Sequence, residues 1–152
     1  MKRKQKGFTL IELLAVIVIL AVIALIATPL IMNVINNAKT GADRDAAYGV
    51  VKAVETSAMQ QMALDPTFKL PKECTITGNA TSCDWTTEQS NNGQAGSMKV
   101  DYKGTKPSKA VIKFDDNGTA TTGSYVGMGT GWFKMNDQLT FPGTPEKTEP
   151  TA

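Results

Sequence analysis

The fold of this protein is decided by one apolar stretch, residues 13–32, which reads LLAVIVILAVIALIATPLIM. There is no charged residue between Glu12 and Lys39. As an α-helix, these 20 residues would be about 30 Å long, which matches the hydrocarbon core of a bilayer. A helix that is apolar on every side belongs in lipid or inside an assembly, because a chain of 152 residues has no interior large enough to bury it.

The residues before the stretch predict its orientation. Four of the 16 basic residues lie in the first six positions and few follow the apolar stretch, so the N-terminus is expected in the cytoplasm. A cleaved secretory signal has a similar basic front, but the strict A-x-A cleavage pattern is absent and the helical pattern continues past the stretch. A looser cleavage site ending at Ala24 stays open.

Composition excludes several classes of function. The chain has no His, which removes imidazole chemistry, and two Cys without His cannot build the usual Cys/His zinc sites. Beyond residue 7 there are 12 basic and 14 acidic residues, which gives no basic footprint for nucleic acid. We therefore expect no metal, no cofactor and no enzymatic activity.

The residues around the start of the stretch form a specific motif. They read KGFTLIE at positions 6–12, and Pro29 lies inside the apolar run that follows. This resembles the N-terminus of a type IV prepilin, whose pattern is a short basic leader ending in Gly, then Phe-Thr-Leu-x-Glu, then about 20 apolar residues. The resemblance covers roughly a fifth of the chain; the remainder is similar in architecture only.

The resemblance implies a sequence of events. A prepilin peptidase would cut between Gly7 and Phe8 and methylate the new amine of Phe8. The mature chain, anchored by a single pass in the cytoplasmic membrane, would then polymerise with other copies through its N-terminal helix, served by an assembly platform and an ATPase. The product would be a type IV pilus on the cell surface, used for motility, adhesion or DNA uptake.

Two residues of the stretch carry specific expectations. Glu12 borders the hydrocarbon, where a carboxylate is costly, so we expect it to pair with the Phe8 amine of a neighbouring subunit. The alternative is an interfacial Glu that reaches the headgroups or stays protonated. Pro29 removes its own N–H and displaces the carbonyl of Leu25, which predicts a kink or local melting; the alternative is a tolerated membrane proline.

Periodicity organises the rest of the chain. Apolar residues continue at three- and four-residue steps after Met32, which predicts one helix from about Thr9 to Leu64, ended by Asp65 and Pro66. Alternating residues then predict an antiparallel sheet of three or four strands packed on that helix, an α+β architecture like the pilin fold. The predicted parts are a leader (1–7), a membrane and polymerisation helix (8–32), an amphipathic helix (33–64), a β-sheet domain (65–141) and a flexible tail (142–152).

The two cysteines, Cys74 and Cys83, are nine positions apart in a stretch rich in Thr, Gly, Asn and Ser. This composition predicts an exposed loop, and a disulfide is permitted on the outer side of the membrane. Two free thiols are the alternative, and the disulfide is favoured. Many members of the similar family bond cysteines near the C-terminus, whereas these follow the helix.

The sequence thus predicts a precursor of a type IV pilin. A pseudopilin of a type II secretion or competence machine shares the N-terminal motif and is the nearest alternative. An alternative of another class is a single-pass protein whose small β domain binds a ligand without polymerising. Glu12 and the Gly7–Phe8 junction argue against this last alternative, because anchoring needs neither.

Overall fold

A computed structural model describes residues 7–78 and 80–150, and these form one helix and six strands. The elements are α1 (Leu10–Leu64), β1 (Glu73–Thr77), β2 (Ser82–Trp85), β3 (Gly96–Lys99), β4 (Lys109–Lys113), β5 (Tyr125–Met128) and β6 (Gly131–Lys134). The chain divides into two compact units, Met1–Ala38 and Lys39–Ala152. The second unit, called the head below, holds the C-terminal part of α1 and all six strands.

The prediction of one long helix is confirmed, and its end has a local cause. The N–H of Asp65 makes the last helical bond, to the carbonyl of Gln61 at 2.9 Å, and Pro66 cannot continue the ladder. The Asp65 carboxylate then accepts hydrogen bonds from the hydroxyl and N–H of Thr67, at 2.6 and 2.8 Å. These bonds lower the pKa of Asp65, and they fix the turn that leads into the sheet.

The strands form a single antiparallel sheet in the order β3-β2-β1-β4-β5-β6. The expected count of three or four strands was wrong, because β1 and β2 alternate buried residues with Thr, Ser and Asp and so look like loop in sequence. Residues 115–118 form a turn, with the N–H of Gly118 bonded to the carbonyl of Asp115 at 3.1 Å. β5 begins at Tyr125, and before it Phe114 and Ala120 form an isolated bridge.

The core lies between one face of the sheet and the C-terminal part of α1, which confirms the α+β architecture. Its largest fully buried apolar side chains come from both layers: Val50 and Val54 from the helix, and Ile76, Ile112, Val126 and Phe133 from the strands. The helix therefore supplies one wall of the core that the sheet alone could not close.

Two carboxylates of the helix are buried beside the apolar residues of the core. Asp43 and Glu55 are each only 9% exposed. Asp43 accepts a hydrogen bond from the N–H of Thr130 at 2.7 Å, and Glu55 accepts one from the N–H of Ala120 at 2.8 Å. Both bonds join α1 to backbone that is more than 60 residues away, so they fix where the sheet lies on the helix.

The cysteines do not lie in an exposed loop. Cys74 belongs to β1 and Cys83 to β2, both side chains are fully buried, and a disulfide joins them with their Cα atoms 5.4 Å apart. The loop prediction was wrong because a polar composition does not reveal that alternate residues of paired strands face the core.

A flexible tail was expected at residues 142–152, and the structure describes residues 142–150 of it. Residues 142–150, called the tail below, are held against the sheet: Glu146 pairs with Trp132, and the Glu149 carboxylate contacts the Lys109 ammonium. Pro150 is buried. Low apolar content predicted disorder, but backbone pairing and an ion pair hold the segment without an apolar stripe of its own.

Candidate functional site

The first unit presents an apolar surface along α1. Every large apolar side chain from Phe8 to Ile35 is more than half exposed. This helix is long and apolar enough to cross a membrane, and it is the one helix among residues 7–78 and 80–150 that meets that description. A surface of this kind needs lipid or other apolar helices around it, because water would leave its whole area hydrated.

The Gly7–Phe8 junction lies outside the helix. Residues 7–9 are non-helical, and the Phe8 side chain is 90% exposed. Among the described residues, apart from its neighbours in the chain, no atom lies within 4 Å of the position that a Cβ on Gly7 would take. Within the described residues, the peptide bond that the motif marks for cleavage therefore lies in an exposed, non-helical segment. The leader residues before Gly7 lie outside the described part of the chain.

Thr9 and Glu12 cap the first turn of α1. The Glu12 carboxylate accepts hydrogen bonds from the N–H of Thr9 at 2.8 Å and from its hydroxyl at 2.7 Å. In return the Thr9 hydroxyl accepts a bond from the N–H of Glu12 at 3.3 Å. This reciprocal arrangement is a capping box, which satisfies amide groups that the first turn leaves without partners. Thr9 was missed as a site residue, although the T-x-x-E spacing at 9–12 is a recognisable signal for it.

The capping box leaves half of the Glu12 carboxylate free. Both bonds from Thr9 go to Oε2, and within the described residues no hydrogen bond reaches Oε1. Glu12 therefore has an acceptor atom, already oriented by the cap, for a donor from outside the chain.

The helix continues through Pro29, and the expected kink there stays a prediction. Only the bond from position 29 to the Leu25 carbonyl is lost to proline. Beside it, the Thr28 hydroxyl bonds the carbonyl of Ala24 at 2.7 Å. Such a side-chain bond is one of the ways in which apolar helices tolerate proline.

No group of three or more acidic or Cys side chains that could hold a metal ion occurs in the part of the chain that the structure describes. The features that stand out are the capped N-terminus, the open Gly7–Phe8 junction and the exposed apolar helix.

Comparison with known proteins gives one match. Residues 2–28 match the family model described as the prokaryotic N-terminal methylation motif, which is the signature of the type IV prepilin leader. With the long apolar helix and the six-stranded sheet, this motif supports a pilin-like or pseudopilin-like precursor, and the α+β architecture is consistent with the pilin fold. The motif and the helix together fit anchoring in a membrane before assembly.

Beyond residue 28 the comparisons give no family. No curated protein and no solved structure matches the chain. The head therefore has to be interpreted from its own contacts.

Proposed function

We propose that this chain is the precursor of a type IV pilin. A prepilin peptidase cuts after Gly7 and methylates the amine of Phe8, and an assembly platform and its ATPase then add the mature chain to a surface filament. Within the filament the apolar helices of many copies pack together while the heads face outward. The observation that carries the proposal is the helix surface from Phe8 to Ile35, apolar and exposed, behind a methylation motif.

A simple anchor accounts for less of this arrangement. A lipid bilayer alone would solvate the apolar surface, but an anchor requires neither a cleavable Gly7–Phe8 junction nor a carboxylate at the edge of the hydrocarbon. In a filament both have a role, because cleavage creates the cationic amine of Phe8 and Glu12 of a neighbouring copy neutralises it. Removing the two charges from apolar surroundings as a pair favours one register between helices.

The geometry of Glu12 allows its two roles to be separated by mutation. Glu12→Gln removes the charge but keeps a side chain that can complete a capping box. Thr9→Ala removes the cap, at a cost of about 1 kcal/mol to the helix end, and keeps the charge. We expect Glu12→Gln to insert into the membrane and be cleaved normally but to be lost from filaments, because an unpaired buried amine costs about 3–5 kcal/mol per subunit. Thr9→Ala should still assemble.

The measurement compares both variants with wild type at equal expression, in the membrane fraction and in the sheared surface fraction. If Glu12→Gln is as abundant in filaments as wild type, the carboxylate is not an assembly group and the non-polymerising alternative gains. If Thr9→Ala is lost as completely as Glu12→Gln, assembly requires the helix cap as well, and the loss of Glu12→Gln can no longer be assigned to its charge alone.

Processing has its own test. Intact-mass analysis of filaments should find a chain that begins at Phe8 and carries one added methyl group. Gly7→Ala should leave the precursor uncut, and since the site has open space around Gly7, that failure would come from the peptidase and not from misfolding. A mature chain that begins after Ala24 would instead indicate an ordinary secretory signal.

Pilin and pseudopilin differ in the filament that they form, and electron microscopy of cells that lack this chain distinguishes them. Loss of long surface filaments supports a pilin. Intact surface filaments together with a defect in secretion or DNA uptake support a pseudopilin.

A further inference from the structure

The tail begins at a firm anchor. Phe141 is buried, its ring lies 4.8 Å from that of Tyr48 and 6.3 Å from that of Phe133, and its N–H donates to the Tyr48 hydroxyl at 2.7 Å. Pro142 and Gly143, which follow, are exposed. The head core therefore ends at Phe141, and the tail leaves it through a short hinge.

The tail then closes the edge of the sheet. β6 is the last strand of the sheet and pairs with β5 on one side only. On its other side, Trp132 exchanges two backbone hydrogen bonds with Glu146, both 2.8 Å long. Gly131 makes room for this approach, since a Cβ there would collide with the carbonyl of Glu146 and with Pro145. The contact is one bridge of an added strand, and it covers backbone groups that an unpaired edge would offer to another chain.

An ion pair holds the C-terminal end of the described tail on the sheet. The Glu149 carboxylate accepts hydrogen bonds from the Lys109 ammonium at 2.5 Å and from the Tyr125 hydroxyl at 3.2 Å. The two charged side chains are 37% and 41% exposed, so water and salt weaken their attraction. The Lys109 bond lowers the pKa of Glu149, and the Glu149 bond raises the pKa of Lys109, as expected for a formed pair.

We propose that the tail is an exchangeable edge strand, which closes β6 of its own head in the separate chain and can close β6 of a second copy instead. Beyond Pro142 and Gly143, the attachment of the tail to its own head consists, among the described residues, of one backbone bridge, the bonds of Glu149 to Lys109 and Tyr125, and the burial of Pro150. Every bond that the tail makes in its own head can be made identically in another head, which is the condition for low-cost strand exchange between copies. The exchange gives a head-to-head link that is separate from the association of the N-terminal helices.

The Lys109–Glu149 contact provides a specific test. A carbodiimide joins a lysine and a carboxylate in direct contact as an amide, without a spacer. In the wild-type full-length chain, held in detergent micelles, it should produce an intrachain Lys109–Glu149 amide. Two variants each keep one member of this pair. Lys109→Gln keeps the Glu149 carboxylate in the tail, and Glu149→Gln keeps the Lys109 ammonium on the sheet. Neither variant alone can form the amide, so each is the control for the other.

The decisive sample is an equal mixture of the two full-length variants. The chains are mixed at high salt, returned to low salt and treated with carbodiimide. The expected result is a cross-linked dimer, absent from each variant alone, with an amide between Glu149 of one chain and Lys109 of the second copy, identified by peptide mass spectrometry. An intrachain amide in wild type with no dimer in the mixture would overturn the proposal, because the tail would then close only its own head. Absence of the wild-type amide would overturn it as well, since the attachment itself would be missing.

Neither outcome depends on filament formation. The assay uses separate chains in micelles, so it can fail while the chain still polymerises through its N-terminal helix, and it can succeed if the chain never polymerises. A mixture of Lys109→Gln with a chain that lacks residues 145–152, and so lacks Glu149 but keeps Lys109, measures whether a vacant β6 edge raises the yield. We expect a higher dimer yield from this mixture, because the shortened chain has no tail of its own to compete for its β6 edge. An unchanged or lower yield would contradict the exchange.

Discussion

Val22 and Val54 lie on the same helix, and their surroundings are opposite. Val22 is 55% exposed, and its large apolar neighbours are also more than half exposed. Val54, in contrast, is fully buried in the core of the head. In the head even carboxylates are buried, since Asp43 and Glu55 have backbone N–H groups to bond. Burial along α1 thus follows the partners that the chain supplies and not the polarity of the residues. The described residues of the first unit, 7–38, present an exposed apolar surface, and the partner of that surface has to come from lipid or from other chains.

Loss of the disulfide should have the largest effect on the stability of the head, and it should leave the first unit unchanged. Replacing Cys74 and Cys83 together by Ala should lower the free energy of unfolding of the head by about 2–5 kcal/mol, because the unfolded chain regains the freedom of the closed loop. Both tryptophans lie in the head, so fluorescence during denaturant unfolding of the full chain in detergent measures the head alone. Insertion of the first unit into membranes should be unchanged, and a loss of insertion would contradict the independence of the two regions.

A matched pair of valines tests the comparison directly. Val54→Ala should lower the free energy of unfolding by about 2–3 kcal/mol, from lost apolar burial and the cavity that remains. Val22→Ala, the same chemical change on the same helix, should alter it by less than about 0.5 kcal/mol. The same fluorescence measurement applies to both. Equal effects would mean that the exposed part of α1 contributes to the stability of the head.

The buried carboxylate at position 55 gives a smaller effect. Glu55→Ala leaves the Ala120 N–H without its acceptor and should cost about 1–2 kcal/mol. Glu55→Gln is the control, because its amide oxygen can still accept that bond and only the exposed contact with Lys52, 3.3 Å away, is lost. If the two variants are equally destabilised, the charge of Glu55 and not its hydrogen bond to Ala120 stabilises the head.

The smallest expected effect is the pH dependence of the contact between Lys109 and Glu149, which holds the tail on the sheet. The pKa of Glu149 is lowered from 4.5 by Lys109, so the pair stabilises the closed tail above that value and is lost as pH falls through the lowered pKa. The pKa of Lys109 is raised from 10.5, so its contribution is lost only as pH rises above that range. Tyr125, whose pKa burial raises, and Glu73, which adds to that rise, are the other titrating groups nearby.

Hydrogen exchange measures this pH dependence. The protection of the Trp132 and Glu146 amides, corrected for intrinsic exchange rates, should be constant around neutral pH and fall in acid below the lowered pKa. Amides of β1 should stay protected under the same conditions. In Lys109→Gln the acid step should shrink, and a full step in that variant would show that another group closes the tail.

The sequence predicted the helix well and the head only in outline. The limits of α1 could be derived because Thr9 and Glu12 start it, Asp65 and Pro66 end it, and both signals are local. The strands β1 and β2 were missed because Thr, Ser and Asp on their exposed positions hide the alternation that places Cys74 and Cys83 in the core. The tail was predicted to be flexible because its attachments, at Trp132 and Lys109, lie on strands far from it in sequence.

The sequence by itself determined the capped apolar helix and the cleavage and methylation motif, because both are encoded by residues only a few positions apart. It also required a partner for that helix from outside the chain, since no other segment has enough apolar surface to cover it. Only the tertiary structure decided the strand order, the buried positions of Asp43 and Glu55, the disulfide between two paired strands and the closed edge of β6. Each of these joins groups that are distant along the chain, and such contacts form only when the sheet folds onto the helix.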